Sequence, residues 1–326
     1  MQDAGTKAPL ISVIVPAYRA AEWIGAALAS VLAQTLQDFE IIVVNDGSPD
    51  TAELERVLEP YRARIIYLCQ ENRGLAGARN TGVRAARGKY IAPLDADDIW
   101  DPEFLAAQAA ILEADPSFDL VYADARIFGD GPDCGKTVME LSPSEGEVTF
   151  ERLVRRQCSV HVCVTLVRRN ALIHAGLFDE SFRMTEDIDM WLRILLSGGR
   201  ITYQRRVLGK YRRRVGSLSS NPLPMIESYL RVLAKMAGDP RTTTSQQAAI
   251  AAECVEQRAL LALHQGKREF VAGEMGAAIS HLAEANRHFR SARLAAIVTL
   301  LRVAPHFLRS LYVWRDRHVY RLKTQP

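Results

Sequence analysis

The chain has 326 residues, 48% hydrophobic and 24% charged, which excludes a disordered or collagen-like chain and leaves ample apolar material for two domains. Lys and Arg number 41 against 38 Asp and Glu, and a net charge of +3 is too small to mark a dedicated nucleic-acid binder. The five cysteines are scattered, with no CxxC pair and no Cys/His cluster at zinc spacing, so a reduced, cytosolic compartment is expected.

The N-terminal stretch carries Asp3 and has no long apolar region before its first strand, so it does not read as a signal peptide. No window approaches about 18 uncharged apolar residues, so nothing is expected to span a membrane. The first third then alternates. Short apolar, β-branched runs at 10–15, 39–44, 64–68 and 90–94 predict strands. Helical spacing at 20–34, 51–58 and 76–86 predicts helices between them. This strand–helix–strand order predicts an α/β fold with a buried, mostly parallel sheet, whose ligands bind at the carboxyl ends of the strands.

The middle is more mixed. A helix is predicted over 102–114, a strand over 120–128, a loop or flap over 129–146, an extended segment over 160–167, a helix over 185–196 and a strand over 201–211. Beyond Pro222 the strand signals stop. Helices are expected at 225–237, 245–263, from Phe270, at 275–289, at 292–303 and from Pro305. The domain boundary is therefore placed near Pro222, with residues 1–221 as one domain and 222–326 as an all-α appendage. Within the appendage, 260–273 and 277–285 read as one helical hairpin of tetratricopeptide type without a second copy.

Four stretches could carry chemistry. Gly74, Gly77 and Gly82 have neither dinucleotide-fingerprint nor Walker spacing and read as helix-start glycines. Asp95, Asp97 and Asp98 follow a strand and either hold one hard divalent cation or form a solvated loop. Asn45 to Asp50 reads as a turn with a helix cap, or as a strand end whose Asp46 accepts from a nucleobase N–H. Thr185 can cap the helix that follows, where Glu186 and Asp187 suit the helix dipole; a carboxylate kept ionised there also suits a general base.

Taken together, VIVPAYRA, VVNDGSPD, ENRGLAGARNTGVRAARGKYIAPLDADDIW and TEDIDMWLR occur in an order and spacing that resemble the inverting family-2 nucleotide-sugar glycosyltransferases of the GT-A fold, over about residues 10–220. The resemblance implies a transferase that moves a sugar, expected from a UDP-sugar, to a hydroxyl of a glycan or lipid-linked acceptor in polysaccharide or glycoconjugate synthesis. It implies that Pro16, Ala17 and Tyr18 cradle the base, that Asp46 accepts from uracil N3–H, and that Arg79 faces the nucleotide. Asp97 and Asp95 match the DxD motif that holds Mn2+ or Mg2+, with Asp97 as the direct ligand, Asp95 as a ribose or water-mediated contact and Asp98 as a substitute. Asp187 matches the base. Trp100, Glu186 and Trp191 are candidates for the acceptor side. Arg214 stands near a position where family members often carry a His, and can supply positive charge to the leaving group instead.

The segment from Arg302 to Pro326 holds six Arg or Lys against Asp316 alone, interleaved with aromatic residues. It suits either an ordinary solvated helix or an anionic membrane surface, which would place the protein peripherally on the inner face of the plasma membrane. A GDP- or dTDP-sugar donor is the enzymatic alternative. A non-catalytic scaffold whose helices bind a protein partner is the alternative of a different class.

Overall fold

The structure, a computed structural model, describes residues 8–214, 216–217 and 221–315. In chain order it contains β1 (Ile11–Ala17), α1 (Ile24–Leu32), β2 (Phe39–Asp46), α2 (Thr51–Leu58), β3 (Ile66–Gln70), α3 (Gly74–Ala85), β4 (Tyr90–Pro93), β5 (Ile99–Trp100), α4 (Phe104–Ala114), β6 (Leu120–Gly129), α5 (Val138–Leu141), α6 (Phe150–Val154), β7 (Thr165–Arg168), α7 (Arg169–His174), α8 (Glu186–Leu196) and β8 (Ile201–Arg213). Five helices follow: α9 (Pro222–Ala237), α10 (Thr244–Ala272), α11 (Met275–Phe289), α12 (Ala292–Val303) and α13 (Pro305–Arg315). The chain divides into two compact units, Met1–Ser220 with Gly238–Gln246, and Asn221–Ala237 with Gln247–Pro326.

In the first unit the eight strands form one sheet in the order β3-β2-β1-β4-β7-β6-β8-β5. β1 pairs in parallel with β2 and β4, and β2 with β3. β7 is antiparallel to both β4 and β6. β1 is buried along its whole length, which is why it reads as an unbroken apolar run and not an alternating one. Ile24, Ala27, Leu28 and Val31 of α1 recur at helical spacing and close the core over β1 and β2. Fully burying each such Ile, Leu or Val contributes about 1.5–3 kcal/mol.

The strand order sets the position of the site. After β3 the chain crosses back through α3 and enters β4 on the far side of β1. The order reverses between β1 and β4, and in open α/β sheets ligands bind outside the carboxyl ends of the strands at such a point. The loops after β1, β2 and β4 all lie at that end. β8 is 13 residues long and runs in parallel beside β6, with register shifts around Asp124, out to Arg212 and Arg213. It therefore delivers a basic segment to the acidic loop after β4.

Several details differ from the sequence reading. α5, of four residues, lies inside the stretch expected to be loop over 129–146, and α6 and α7, of five and six residues, are too short to show a period in the sequence. Residues 162–164 form a 3-10 turn ahead of a strand of only four residues. In the second unit, 245–263 and the stretch from Phe270 are one 29-residue helix, α10, without a break. Gly266 stays inside it because α11 packs closely there: a Cβ on Gly266 would lie 2.7 Å from Leu282 Cγ. That unit buries Leu282, Val298 and Leu301, with Leu263, Phe270, Met275, Ile279, Leu294 and Leu308 packed around them. Among the described residues no helix is long and apolar enough to cross a membrane.

Candidate active site

The loop after β2 is held by its own side chains. Ser48 N–H donates to Asn45 Oδ1 at 2.9 Å, and Asn45 Nδ2 donates to the Thr51 hydroxyl at 2.9 Å. Gly47 has φ +62°, and a Cβ there would stand 2.8 Å from the Asn72 nitrogen, so the turn requires glycine. Asp50 does not cap α2 through its side chain. Its Oδ2 instead accepts from Ala21 N–H at 3.1 Å, tying the loop after β1 to the loop after β2. Asp46 is 2% exposed; its Oδ1 accepts from Gln70 Nε2 at 2.6 Å and from Arg73 N–H at 2.9 Å. Pro16 and Ala17 are buried in β1 and only Tyr18 of that trio is exposed, so Tyr18 is the one with a side chain open to solvent.

Helix α3 carries the hub of the site. Its small residues allow the close approach: a Cβ on Gly82 would fall 2.4 Å from Ile14 Cγ2, so only glycine lets α3 lie on β1 here. Arg79 projects from this helix and is 1% exposed. Its Nη2 donates to Asp95 Oδ1 at 2.7 Å and its Nη1 to Glu186 Oε1 at 2.5 Å. Burial works against the guanidinium charge, but Asp95, Glu186 and Asp187 outweigh it and push the Arg79 pKa up. The next residue, Asn80, donates through Nδ2 to Phe178 O at 2.8 Å and accepts Phe178 N–H at 2.9 Å. Glu180 completes the clamp by accepting from Arg73 Nη2 at 2.8 Å and from Asn80 at 3.0 Å. Two consecutive residues of α3 thus fix the segment that leads into α8.

The loop after β4 presents three carboxylates. Asp97 Oδ2 accepts from Arg214 Nε at 2.9 Å. Burial and the neighbouring Asp95 raise the Asp97 pKa, and Arg214 opposes them. Asp98 turns inward at 1% exposure, where its Oδ1 accepts Arg212 N–H at 2.7 Å. Burial, then Asp95 and Asp97, push its pKa well up. No N–H or O–H group reaches Asp98 Oδ2, which lies near the Cys163 thiol. Arg212 sits with its guanidinium carbon 4.3 Å from the Trp23 ring centroid and 4.2 Å from that of Phe128, and donates to Asp97 O at 2.9 Å. The end of β8 therefore braces the acidic loop through backbone, side-chain and ring contacts.

Helix α8 starts with backbone strain. Thr185 adopts φ +60°, a left-handed conformation uncommon for a branched residue, and makes no side-chain cap bond to the helix. Its hydroxyl donates to Met184 O at 2.6 Å, so the expected Thr185 cap is absent. The turn aims Glu186 at Arg79 and leaves Asp187 half-buried beside them. Asp187 Oδ1 accepts Ile188 N–H at 2.8 Å. Burial, then Glu186, push the Asp187 pKa up to about 7; Arg79 and the Ile188 N–H hold it from rising further.

Of the predicted residues, the structure gathers Asp95, Glu186 and Asp187 around Arg79. Four of the predicted residues are buried. Arg79 is engaged by Asp95 and Glu186. Glu186 is 4% exposed and accepts from Arg79. Trp100 is buried, stacked on Phe104 at 4.4 Å, with its Nε1 donating to Cys163 O at 2.6 Å. Trp191 is fully buried, edge-on to Phe178 at 6.2 Å. Neither indole has a face free for a sugar. Asn80, Glu180 and Arg212 were missed, although a polar Asn80 on the apolar face of a helix was a usable signal.

Asp95, Asp97 and Asp98 are the carboxylates that a divalent cation would meet at the end of β4. Among the described residues no three Asp, Glu, His or Cys side chains converge as a complete metal cage. The Asp95 charge nevertheless raises the Asp97 pKa, and Asp95 and Asp97 together raise that of Asp98, which marks negative charge that Arg214 only partly offsets at Asp97. One or two carboxylates completed by substrate phosphates are the usual arrangement for Mg2+.

The family model "Glycosyl transferase family 2" matches residues 12–174. An uncharacterized glycosyltransferase of Rickettsia prowazekii, RP339, is 32% identical over 68% of this chain and 69% of its own length. The Escherichia coli protein WfgD, named a UDP-Glc:alpha-D-GlcNAc-diphosphoundecaprenol beta-1,3-glucosyltransferase, is 32% identical over 71% of this chain and 88% of its length. The relative from Rickettsia felis is longer, and the chain spans 31% of it. Among solved structures, the mannosyltransferase PcManGT from Pyrobaculum calidifontis, in complex with GDP-Man and Mn2+, superposes with a TM-score of 0.64 at 20% identity, over 94% of this chain and 84% of its own. That likeness identifies the fold as the GT-A type.

Proposed function

The chain belongs to glycosyl transferase family 2, and we propose that it transfers a sugar from a UDP-sugar to a hydroxyl of a glycan or lipid-linked acceptor with inversion at the anomeric carbon. The observation that carries this reading is the bridge of Arg79 between Asp95 and Glu186, because it gathers the acidic loop and the Glu186–Asp187 pair at the carboxyl end of β4. The unit 1–221 is the catalytic domain in this reading, and 222–326 is a helical addition.

Asp187 is the general base. With a pKa near 7 it is substantially ionised at neutral pH and still basic enough to accept a proton. The acceptor O–H gives its proton to the Asp187 carboxylate as the new O–C1 bond forms. The C1–O bond to the diphosphate breaks in line, and the diphosphate leaves with the electron pair. Arg79 holds Asp95 and Glu186 in place and keeps Asp187 from protonating outright. Arg214 exchanges its bond to Asp97 for the charge that grows on the leaving diphosphate. Asp97, with Asp95, would hold Mn2+ or Mg2+, which neutralises that diphosphate charge. At the base end, Asp46 accepts from uracil N3–H beside Tyr18. The UDP preference follows the donor in the name of WfgD, and the lipid-linked acceptor follows the same name.

Thermal stabilisation of the full chain by UDP, GDP and dTDP, each with Mn2+, tests the reading. A shift with UDP that exceeds the other two supports it. A larger shift with GDP moves the donor to the GDP-sugar alternative, and no shift with any nucleotide favours the scaffold.

A further inference from the structure

We propose that the outer face of α12, continued onto the start of α13, docks on an anionic membrane surface. The proposal stands apart from the glycosyl-transfer reading and concerns the second unit alone. A helix on the surface of a small bundle needs one apolar stripe. α12 has two. Leu294, Val298 and Leu301 make up the inner stripe and belong to the packed cluster. Ala296, Ile297, Leu300 and Val303 make up a second stripe at helical spacing on the outside, with Phe307 beyond it. Leu300 is 50%, Val303 79% and Phe307 69% exposed, so large apolar side chains face water along the helix.

Charge selects the occupant. From residue 285 to residue 315 the sequence holds six arginines and two histidines and no Asp or Glu. Arg293 lies within the outer stripe and Arg302 near the end of the helix, both exposed. Arg287 and Arg290 add exposed positive charge at the end of α11. Among the described residues none of these four has a carboxylate partner. Arg309 is different, since its guanidinium donates to Val271 O at 3.0 Å and serves the fold. A second copy of this chain would bring the same positive charge to the contact and be repelled. A bilayer with anionic headgroups satisfies both features: apolar side chains enter the headgroup–acyl boundary while arginines meet phosphates. α12 and α13 have 12 and 11 residues, too short to span a bilayer, so the face lies on the surface. The further basic residues Arg317, Arg321 and Lys323, on which the sequence reading also drew, lie outside the described residues.

Co-sedimentation of the full chain with vesicles of phosphatidylcholine, alone or with phosphatidylglycerol, tests this. Binding is expected only to the mixed vesicles and is expected to weaken strongly at high salt. Arg293→Ser with Arg302→Ser should reduce partition about 25-fold, at about fivefold for each arginine. Leu300→Asp with Val303→Asp should abolish it, with the melting temperature checked to show that each variant folds. Absence of binding to either vesicle overturns the proposal, as does binding that both double variants leave unchanged. Self-association of the chain that Leu300→Asp with Val303→Asp removes, without vesicle binding, assigns the face to a second copy and also overturns it.

Discussion

Replacing Arg79 probes the hub of the site. Its two prongs reach Glu186 at 2.5 Å and Asp95 at 2.7 Å, and both carboxylates lie at least partly out of water. A lysine keeps the charge but can serve one carboxylate well at a time. Loss of one charge-assisted hydrogen bond costs about 1.5–3 kcal/mol. In a unit of this size that lowers the melting temperature by about 3–12 °C. Arg79→Met removes the charge as well and strands two carboxylates, at about 3–5 kcal/mol. The two variants separate in the pH dependence of nucleotide release. Arg79 holds the Asp187 pKa down against Glu186, so Arg79→Met should move the acidic limb above about 7, whereas Arg79→Lys should lower kcat and leave the limb near its original place. Differential scanning calorimetry and pH–rate profiles measure both effects. A methionine variant with the wild-type limb and an unchanged melting temperature would refute the idea that Arg79 couples the acidic loop to the base.

Other consequences are equally accessible. Asp187→Asn should cut turnover by about 10²–10⁴, yet stabilise the protein at high pH. The Asp187 pKa is raised on folding from 3.8 to about 7, so its contribution to stability is fully present below pH 4 and is lost as pH rises through 7. The variant should therefore match wild type near pH 4 and exceed it at pH 8 by up to about 4 kcal/mol, read by urea denaturation at the two pH values. Gly82→Ala should destabilise by about 1–3 kcal/mol through its clash with Ile14, and Ile14→Ala should recover part of that loss in a double-mutant cycle. Arg214→Ala frees Asp97 Oδ2 and should lower the Mn2+ concentration needed for half-activation about two- to fivefold while reducing kcat; no change in either would remove Arg214 from the scheme.

Much of the fold could be read from residue patterns because its signals are local. α2, α11 and α12 begin and end where their periodicity does, and β1 and β2 read as strands because a sheet covered on both faces needs unbroken apolar runs. The acidic loop and the Glu186–Asp187 pair were likewise visible as motifs. What joins them was not. Arg79 meets partners 16 and 107 residues away, and nothing near it in the chain reveals that its charge is buried. Trp100 and Trp191 were ambiguous for a related reason: an indole on an amphipathic element serves a core or a sugar equally well until the packing is known. The single helix α10 was obscured by Gly266, whose reason is Leu282 on another helix.

Nucleotide release by the full chain with a panel of UDP-, GDP- and dTDP-sugars, run beside Asp97→Asn and Asp187→Asn, tests the central claim most directly. Release from a UDP-sugar is expected in the presence of Mn2+ or Mg2+, with near-complete loss in both variants. Turnover that survives both substitutions would contradict it.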